Sequence, residues 1–170
     1  MIEWPKIYKL LDEITPLKQN CGELCNSVCC TEWDKGVGMY LLPGEECMFT
    51  GKEEWIDWEE HSTQEYEFCP SWSGNIKFLR CKGYCLRKHR PLACRVFPLM
   101  PYLTRDGKFT LKFDVELGSR ICPLVQKDDI NLLEQEFVRR VEQVYLILLK
   151  DKLIRDDIEW QSRRIDLETK

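Results

Sequence analysis

The chemistry of this chain is concentrated in its thiols. The stretch "CGELCNSVCC" places Cys21, Cys25, Cys29 and Cys30 within ten residues, and "CKGYCLRKHRPLACRVFP" adds Cys81, Cys85 and Cys94. Thiolates separated by roughly two to four residues reach one metal ion from a single turn or knuckle, so Cys21/Cys25, Cys25/Cys29 and Cys81/Cys85 each have the spacing of a ligand pair. Cys69 and Cys122 lie further along the chain as additional donors. The neighbours Cys29 and Cys30 point in different directions, which suits two adjacent sites, or one ligand beside one packed thiol. Eight ligands complete two four-coordinate sites, which leaves two of the ten cysteines as buried small hydrophobes. Cys47, in "PGEECMFTG", has no partner within four residues and reads as core or spare.

Disulfides are the competing use of so many thiols. The chain opens "MIEWPKIYKLLDEITPLKQ", charged throughout, where a secreted chain would carry a basic stretch followed by an apolar run. No segment approaches the ~18 apolar residues of a membrane span. The expectation is therefore a cytoplasmic protein without a membrane partner, in a compartment where clustered cysteines serve metals or redox chemistry. Zinc and iron–sulfur clusters both accept all-thiolate cages, and thiol count does not separate them. His89, in "LRKHRP", is either a ligand or a surface base. Calcium and magnesium prefer oxygen cages and account for none of the thiols. The spacing Cys21-x3-Cys25-x3-Cys29 differs from the cluster loop of radical SAM enzymes in its last gap, and the chain is too short for their barrel.

Other chemistries find little support. The sequence offers no Ser-His-Asp set, no Gly-x4-Gly-Lys-Ser/Thr phosphate loop and no His-Glu-x-x-His helix. A catalytic role would rest on the thiol cluster, with Glu45 or Glu46 of "PGEE" lending acid–base help. Arg80, Lys82, Arg87, Lys88, His89, Arg90 and Arg95 surround the second group of cysteines, although the chain carries a net charge of −4 and a pI near 5.4. They form either a solvated surface or the counter-charge of an anionic tetrathiolate site. Nucleic acid is the weakest reading of them, because acidic, Trp-bearing segments interrupt any basic face.

The elements that must position these residues give an α+β expectation. The chain has 170 residues, 44% of them hydrophobic, enough for a buried core. Residues 1–20 carry an N-terminal helix on Ile7, Leu10, Leu11 and Ile14, with Pro5 in the first turn and an end before Pro16. Residues 21–125 form the cysteine-cluster region and 126–170 a C-terminal helical segment, the whole treated as one domain. "VGMYLLP" predicts a short strand, and residues 45–67, acidic and aromatic, have no readable role. Phe109, Leu111, Phe113, Val115 and Leu117 alternate with polar residues as in a strand with one buried face. The "RDGK" turn joins them to "VFPLMPYLT" as a hairpin whose prolines keep it at a sheet edge. Asp128 or Asp129 would cap a long helix from Ile130 to Leu149, and the charged tail from Ile154 continues it, contacts another subunit or frays. The expected fold is thus a small antiparallel sheet with cysteine-bearing loops packed against a long C-terminal helix.

At "RPLACRVFP" the chain resembles the YkgJ-type cysteine-cluster family, described as zinc- or iron-chelating proteins. The similarity runs from Cys21 to Cys122 and includes the adjacent cysteine pair, "YLLPGEE" and the Arg-Pro-x-x-Cys-Arg-x-Phe-Pro string. It implies ligands among Cys25, Cys29 and Cys30, then Cys69 or Cys81, Cys85, Cys94, and Cys122. The family opens with Cys-x-x-Cys-Gly-x-Cys-Cys, whereas the gaps here are three and three, so Cys21 is the front ligand with the weakest match. The Arg-Pro pair also follows Cys85 one residue sooner than in the family, which leaves Cys81 and Cys85 as alternative equivalents. The reading is a protein with thiolate-ligated zinc or iron at two adjacent centres, structural or handling metal; the alternative is an iron–sulfur redox or modifying enzyme. The metal ion itself is the expected partner.

Overall fold

The computed structural model describes residues 2–31, 38–83 and 85–168. It is α+β, with helix α1 over Trp4–Leu10, strand β1 over Met39–Tyr40, β2 over Ile56–Ser62 and β3 over Asn75–Cys81. The three strands form an antiparallel sheet ordered β1-β3-β2. Strands β4 (Leu99–Leu103) and β5 (Phe109–Phe113) form a separate hairpin. Two long helices, α6 (Gln135–Leu148) and α7 (Lys152–Glu168), close the chain. Among the described residues, no helix is long and apolar enough to cross a membrane.

Helix α1 carries Pro5 in its first turn as expected and buries Trp4, Ile7 and Tyr8, but it stops at Leu10, before Glu13 takes a left-handed conformation (φ 60°). Of the expected first strand, Met39 and Tyr40 are extended, and Val37 lies outside the described residues. Residues 45–67, read as a helix or an insertion over the cluster region, instead hold a 3-10 turn over Glu45–Met48 and strand β2. Its charges face cations across the strand pair: Arg80 grips Glu59 with two hydrogen bonds of 2.7 and 3.0 Å, Lys82 lies 2.8 Å from Asp57, and Lys77 pairs with Glu60.

The β4–β5 hairpin forms as predicted, with Thr104 and Lys108 closing the turn and Gly107 at φ 79°. The alternation read through Leu117 stops at Phe113, however. The Asp114 carboxylate accepts the Leu117 N–H at 3.1 Å and caps helix α4, Val115–Ile121. Val115 and Leu117 consequently lie on the exposed side of a helix. A short helix α5, Pro123–Gln126, follows. Asp129 does act as a cap, but for a single 3-10 turn over Ile130–Leu132; Leu133 is then extended, so α6 starts only at Gln135. Asp151 caps the separate helix α7 through Leu153 and Ile154. That helix runs to Glu168 and leaves Thr169 and Lys170 outside the described residues. Helix α7 is tied to β4 by the buried Ser162 hydroxyl, which accepts the Leu103 N–H at 3.0 Å, and by Arg163, which donates to the carbonyls of Leu103 and Thr104.

Apolar side chains segregate into two clusters. The larger joins α1, β4, β5, α6 and α7 around Phe137, Val141, Val144 and Leu148, and includes Cys122 with Cys21 against it. The smaller comprises Leu41, Trp55, Ile56 and Leu79, with Cys81 and Cys85 packed on it. Thiols therefore belong to both clusters.

Candidate thiol site

The front loop is a sequence of tight turns. Cys21 opens a 3-10 turn, Cys21–Leu24, whose first free N–H, that of Gly22, is taken by the Asn20 side chain at 3.2 Å. Asn26 and Ser27 both sit at positive φ (51° and 56°), a conformation that costs a non-glycine residue of order 1 kcal/mol or more. Ser27 folds back to donate its N–H to the Gly22 carbonyl, so close that a Cβ on Gly22 would meet its Oγ at 2.4 Å. This reversal delivers helix α2, Val28–Thr31, with Cys29 and Cys30 side by side and their sulfurs 3.9 Å apart.

The second group arrives on a strand end and a helix. Cys81 is the last residue of β3, and the Gly83 N–H points at its sulfur at 3.4 Å. Gly83 needs its φ of 95°, and a Cβ there would press on the Cys30 carbonyl at 3.3 Å, so the knuckle lies directly against the front loop. Cys94 rides on helix α3, Leu92–Val96, with its thiol 3.1 Å from the Met39 thioether. Cys122 is buried where α4 meets α5.

Eight thiols come together around two neighbouring cavities. Cys29, Cys30, Cys81, Cys85 and Cys94 line one of about 120 Å³, together with Arg90. Cys21, Cys25, Cys29 and Cys122 line one of about 20 Å³. The adjacent pair thus stands at the boundary, with Cys29 on both cavities. Among the described residues, no three His, Cys, Asp or Glu donors are drawn into the arrangement of a formed metal site. All ten cysteines are unbridged.

The remaining cysteines are elsewhere. Cys69 is buried with its sulfur 3.4 Å from the Ser71 hydroxyl, outside both cavities. Cys47 is exposed, in the 3-10 turn Glu45–Met48. His89 is exposed, and His61 is stacked between Tyr66 and Phe78 with its Nδ1 at the Tyr40 hydroxyl.

The electrostatics separate the basic run into three groups. Arg80 and Lys82 are matched to the carboxylates of β2. Arg95, which is 2% exposed, turns away from the thiols. It lies over the Tyr8 ring and donates to the carbonyls of Lys88, Arg90 and Tyr8 and to Asp12. Arg90 and Arg87 face the thiols. Burial lowers the pKa of Arg90, but the charges of Cys30, Cys85 and Cys94 and a hydrogen bond to Cys85 outweigh it and raise the value overall. Burial, then the neighbouring Arg90, lower that of Arg87, which opposes Cys21. The Nε atoms of both arginines are buried without a hydrogen-bond partner.

Thiol ionisation is correspondingly resisted. Burial raises Cys21, Cys85 and Cys94, and other thiols of the group add to it. For Cys94 burial is the largest cause and outweighs the opposing charge of Arg90, while Arg95 is committed elsewhere. Within the adjacent pair the shared hydrogen bond splits the two thiols: Cys30 is lowered by its bond with Cys29, against burial and with help from Arg90. The Cys29 thiol is raised by the same bond and by burial.

Sequence reasoning did not find the brace behind this site. Glu45, 1% exposed, accepts from the Tyr8 hydroxyl (2.6 Å) and the Leu92 N–H (2.7 Å) on Oε1, and from the Leu42 N–H (3.0 Å) on Oε2. It joins "PGEE" to the start of the Cys94 helix and braces it there. Met39, whose thioether touches Cys94, had signalled only a strand.

No family model matches the chain, and no curated protein or solved structure matches it. The resemblance to the YkgJ-type family rests on the quoted motifs alone.

Proposed function

We propose that this chain is a metal-binding protein of the YkgJ type, with two adjacent thiolate sites. Cys30, Cys81, Cys85 and Cys94 would hold one ion and Cys21, Cys25, Cys29 and Cys122 the other. The observation that carries this reading is the convergence of eight cysteines, from the front loop, the end of β3 and the loop after it, α3 and the α4–α5 junction, on two adjoining cavities. The chemistry of the donor set fits zinc or iron, because all eight are sulfur donors and Arg90 and Arg87 offset the charge that four thiolates carry in excess of a divalent ion. Zinc would crosslink four distant segments and contribute binding free energy to folding; iron would add one-electron chemistry. The protein would keep its thiols free in a reducing compartment, the cytoplasm being the expected one.

A second reading, an iron–sulfur redox or modifying enzyme, is favoured by the size of the larger cavity. Its volume of about 120 Å³ far exceeds the ~10–15 Å³ that admits one water-sized body, which leaves space for a polynuclear cluster. Anaerobic purification with elemental analysis and visible absorption distinguishes the two. Colourless protein with near-stoichiometric zinc supports the first reading, and brown protein with iron and acid-labile sulfide supports the second. Protein that takes up neither metal refutes both.

A further inference from the structure

The larger cavity holds one sulfur that a count of thiols overlooks, the thioether of Met39, which lines it beside Cys30, Cys81, Cys85 and Cys94. The register of the sheet puts it there. Met39 pairs with Leu79 across β1 and β3, and side chains two apart on a strand share a face, so Met39 stands on the face that carries Cys81. Gly38, just before it, lets the two strands close up, since a Cβ there would meet the Leu79 carbonyl oxygen at 2.2 Å. From the other side, helix α3 brings the Cys94 sulfur to 3.1 Å from that of Met39.

Two sulfurs held by one tetrahedral ion at about 2.3 Å stand about 3.8 Å apart. The Met39 sulfur is therefore close enough to Cys94 to share its ion. A thioether also differs from a further thiolate in carrying no charge. Four thiolates carry more negative charge than a divalent ion neutralises, and Trp55, Pro91 and Phe97 make the wall around them apolar, so a neutral sulfur is the donor that adds least to the electrostatic cost. Among the described residues, no methionine lines the smaller cavity.

We propose that Met39 is a metal ligand, a neutral fifth sulfur at the site of Cys30, Cys81, Cys85 and Cys94, and that it makes this site select softer ions than its neighbour does. Thioether donors favour Cu(I), whereas thiolates alone serve zinc. The assignment rests on the reading of two thiolate sites and goes beyond it, because four thiolates alone would hold an ion there with Met39 standing outside.

The test uses anaerobic, selenomethionine-substituted protein loaded with Cu(I) and read by X-ray absorption at the selenium edge. The chain has four methionines, so a selenium–copper path should appear at one quarter of full amplitude and vanish in Met39→Leu, which keeps the side chain near its size. With ordinary methionine, Met39→Leu should weaken Cu(I) binding about tenfold and leave the zinc content of both sites unchanged. Copper bound with no selenium neighbour overturns Met39 as a ligand while the thiolate sites stand. Protein that binds neither copper nor zinc fails the two-site reading and this assignment with it. A selenium path that survives Met39→Leu, or equal losses of Cu(I) and zinc in that variant, also overturns the proposal. Should Met39→Leu fold poorly, the double variant Met48→Leu/Met100→Leu decides instead: it retains Met39 and should keep the path, and loss of the path there overturns the assignment.

Discussion

Replacing Glu45 by Gln tests how the thiol site is held in place. The side chain keeps its size, but one of two acceptor oxygens becomes an NH2 donor. In the wild-type protein, three donors converge on the carboxyl group: the Tyr8 hydroxyl at 2.6 Å, the Leu92 N–H at 2.7 Å and the Leu42 N–H at 3.0 Å. With the amide oxygen serving Tyr8 and Leu92, its nitrogen must face the Leu42 N–H, donor against donor. A hydrogen bond to a charged group contributes about 1.5–3 kcal/mol, and a buried donor left without a partner costs about 1–3 kcal/mol. Burial raises the Glu45 pKa, against the pull of its three donors and of Arg95. The expected loss is about 3 kcal/mol, or roughly 6–12 °C in the thermal midpoint of a chain of this size. Metal content should fall with it, since the Leu92 N–H opens the helix that carries Cys94. Glu46→Gln, exposed on the same turn, is the control and should change neither. A Glu45→Gln midpoint within about 2 °C of wild type, with metal retained, would refute the brace.

Cys94→Ser should reduce both bound metal and soluble yield, whereas Cys47→Ser, at an exposed thiol outside both cavities, should leave both unchanged; equal losses in the two purified variants would overturn the ligand assignment. Stripping metal with a strong chelator should lower the thermal transition, because the ligands crosslink segments far apart in sequence, and an unmoved transition would leave the metal without a structural role. Asp157 gives a pH prediction: burial raises its pKa from 3.8 to about 6, against the bonds from Gln161 and Cys69. The folded state therefore holds this proton more tightly than the unfolded state, so the contribution is present below about pH 4 and is lost as pH rises through 6. At about 1.4 kcal/mol per pH unit, wild type should lose up to about 3 kcal/mol relative to Asp157→Asn between pH 4 and 7, and parallel denaturation curves across that window would contradict it.

What the sequence made legible was local. Thiol spacing singled out Cys21 to Cys30 and Cys81 to Cys94, which line the two adjoining cavities, because such spacing is a short-range feature, and the β4–β5 hairpin was visible in its alternation and its "RDGK" turn. Strand β2 was hidden because its glutamates and aspartate are balanced by Lys77, Arg80 and Lys82 on or just beyond the neighbouring strand, a pairing that hydrophobic pattern does not report. Asp114 ended the alternation by capping, a choice between strand and helix that one side-chain hydrogen bond decides. The separation of Cys69 from the other thiols depended on tertiary packing, and so did the Glu45–Leu92 and Arg95–Asp12 contacts, which join residues 47 and 83 positions apart.

The adjacent cysteines carry the central claim, that two thiolate sites meet at the Cys29–Cys30 boundary. Metal content and site-resolved spectra of anaerobically purified wild type, Cys29→Ser and Cys30→Ser test it directly. The account predicts two occupied sites in wild type, with Cys30→Ser depleting the site of Cys81, Cys85 and Cys94 and Cys29→Ser depleting that of Cys21, Cys25 and Cys122. If both variants keep the full complement of metal, or both lose the same site, the two-site arrangement is wrong.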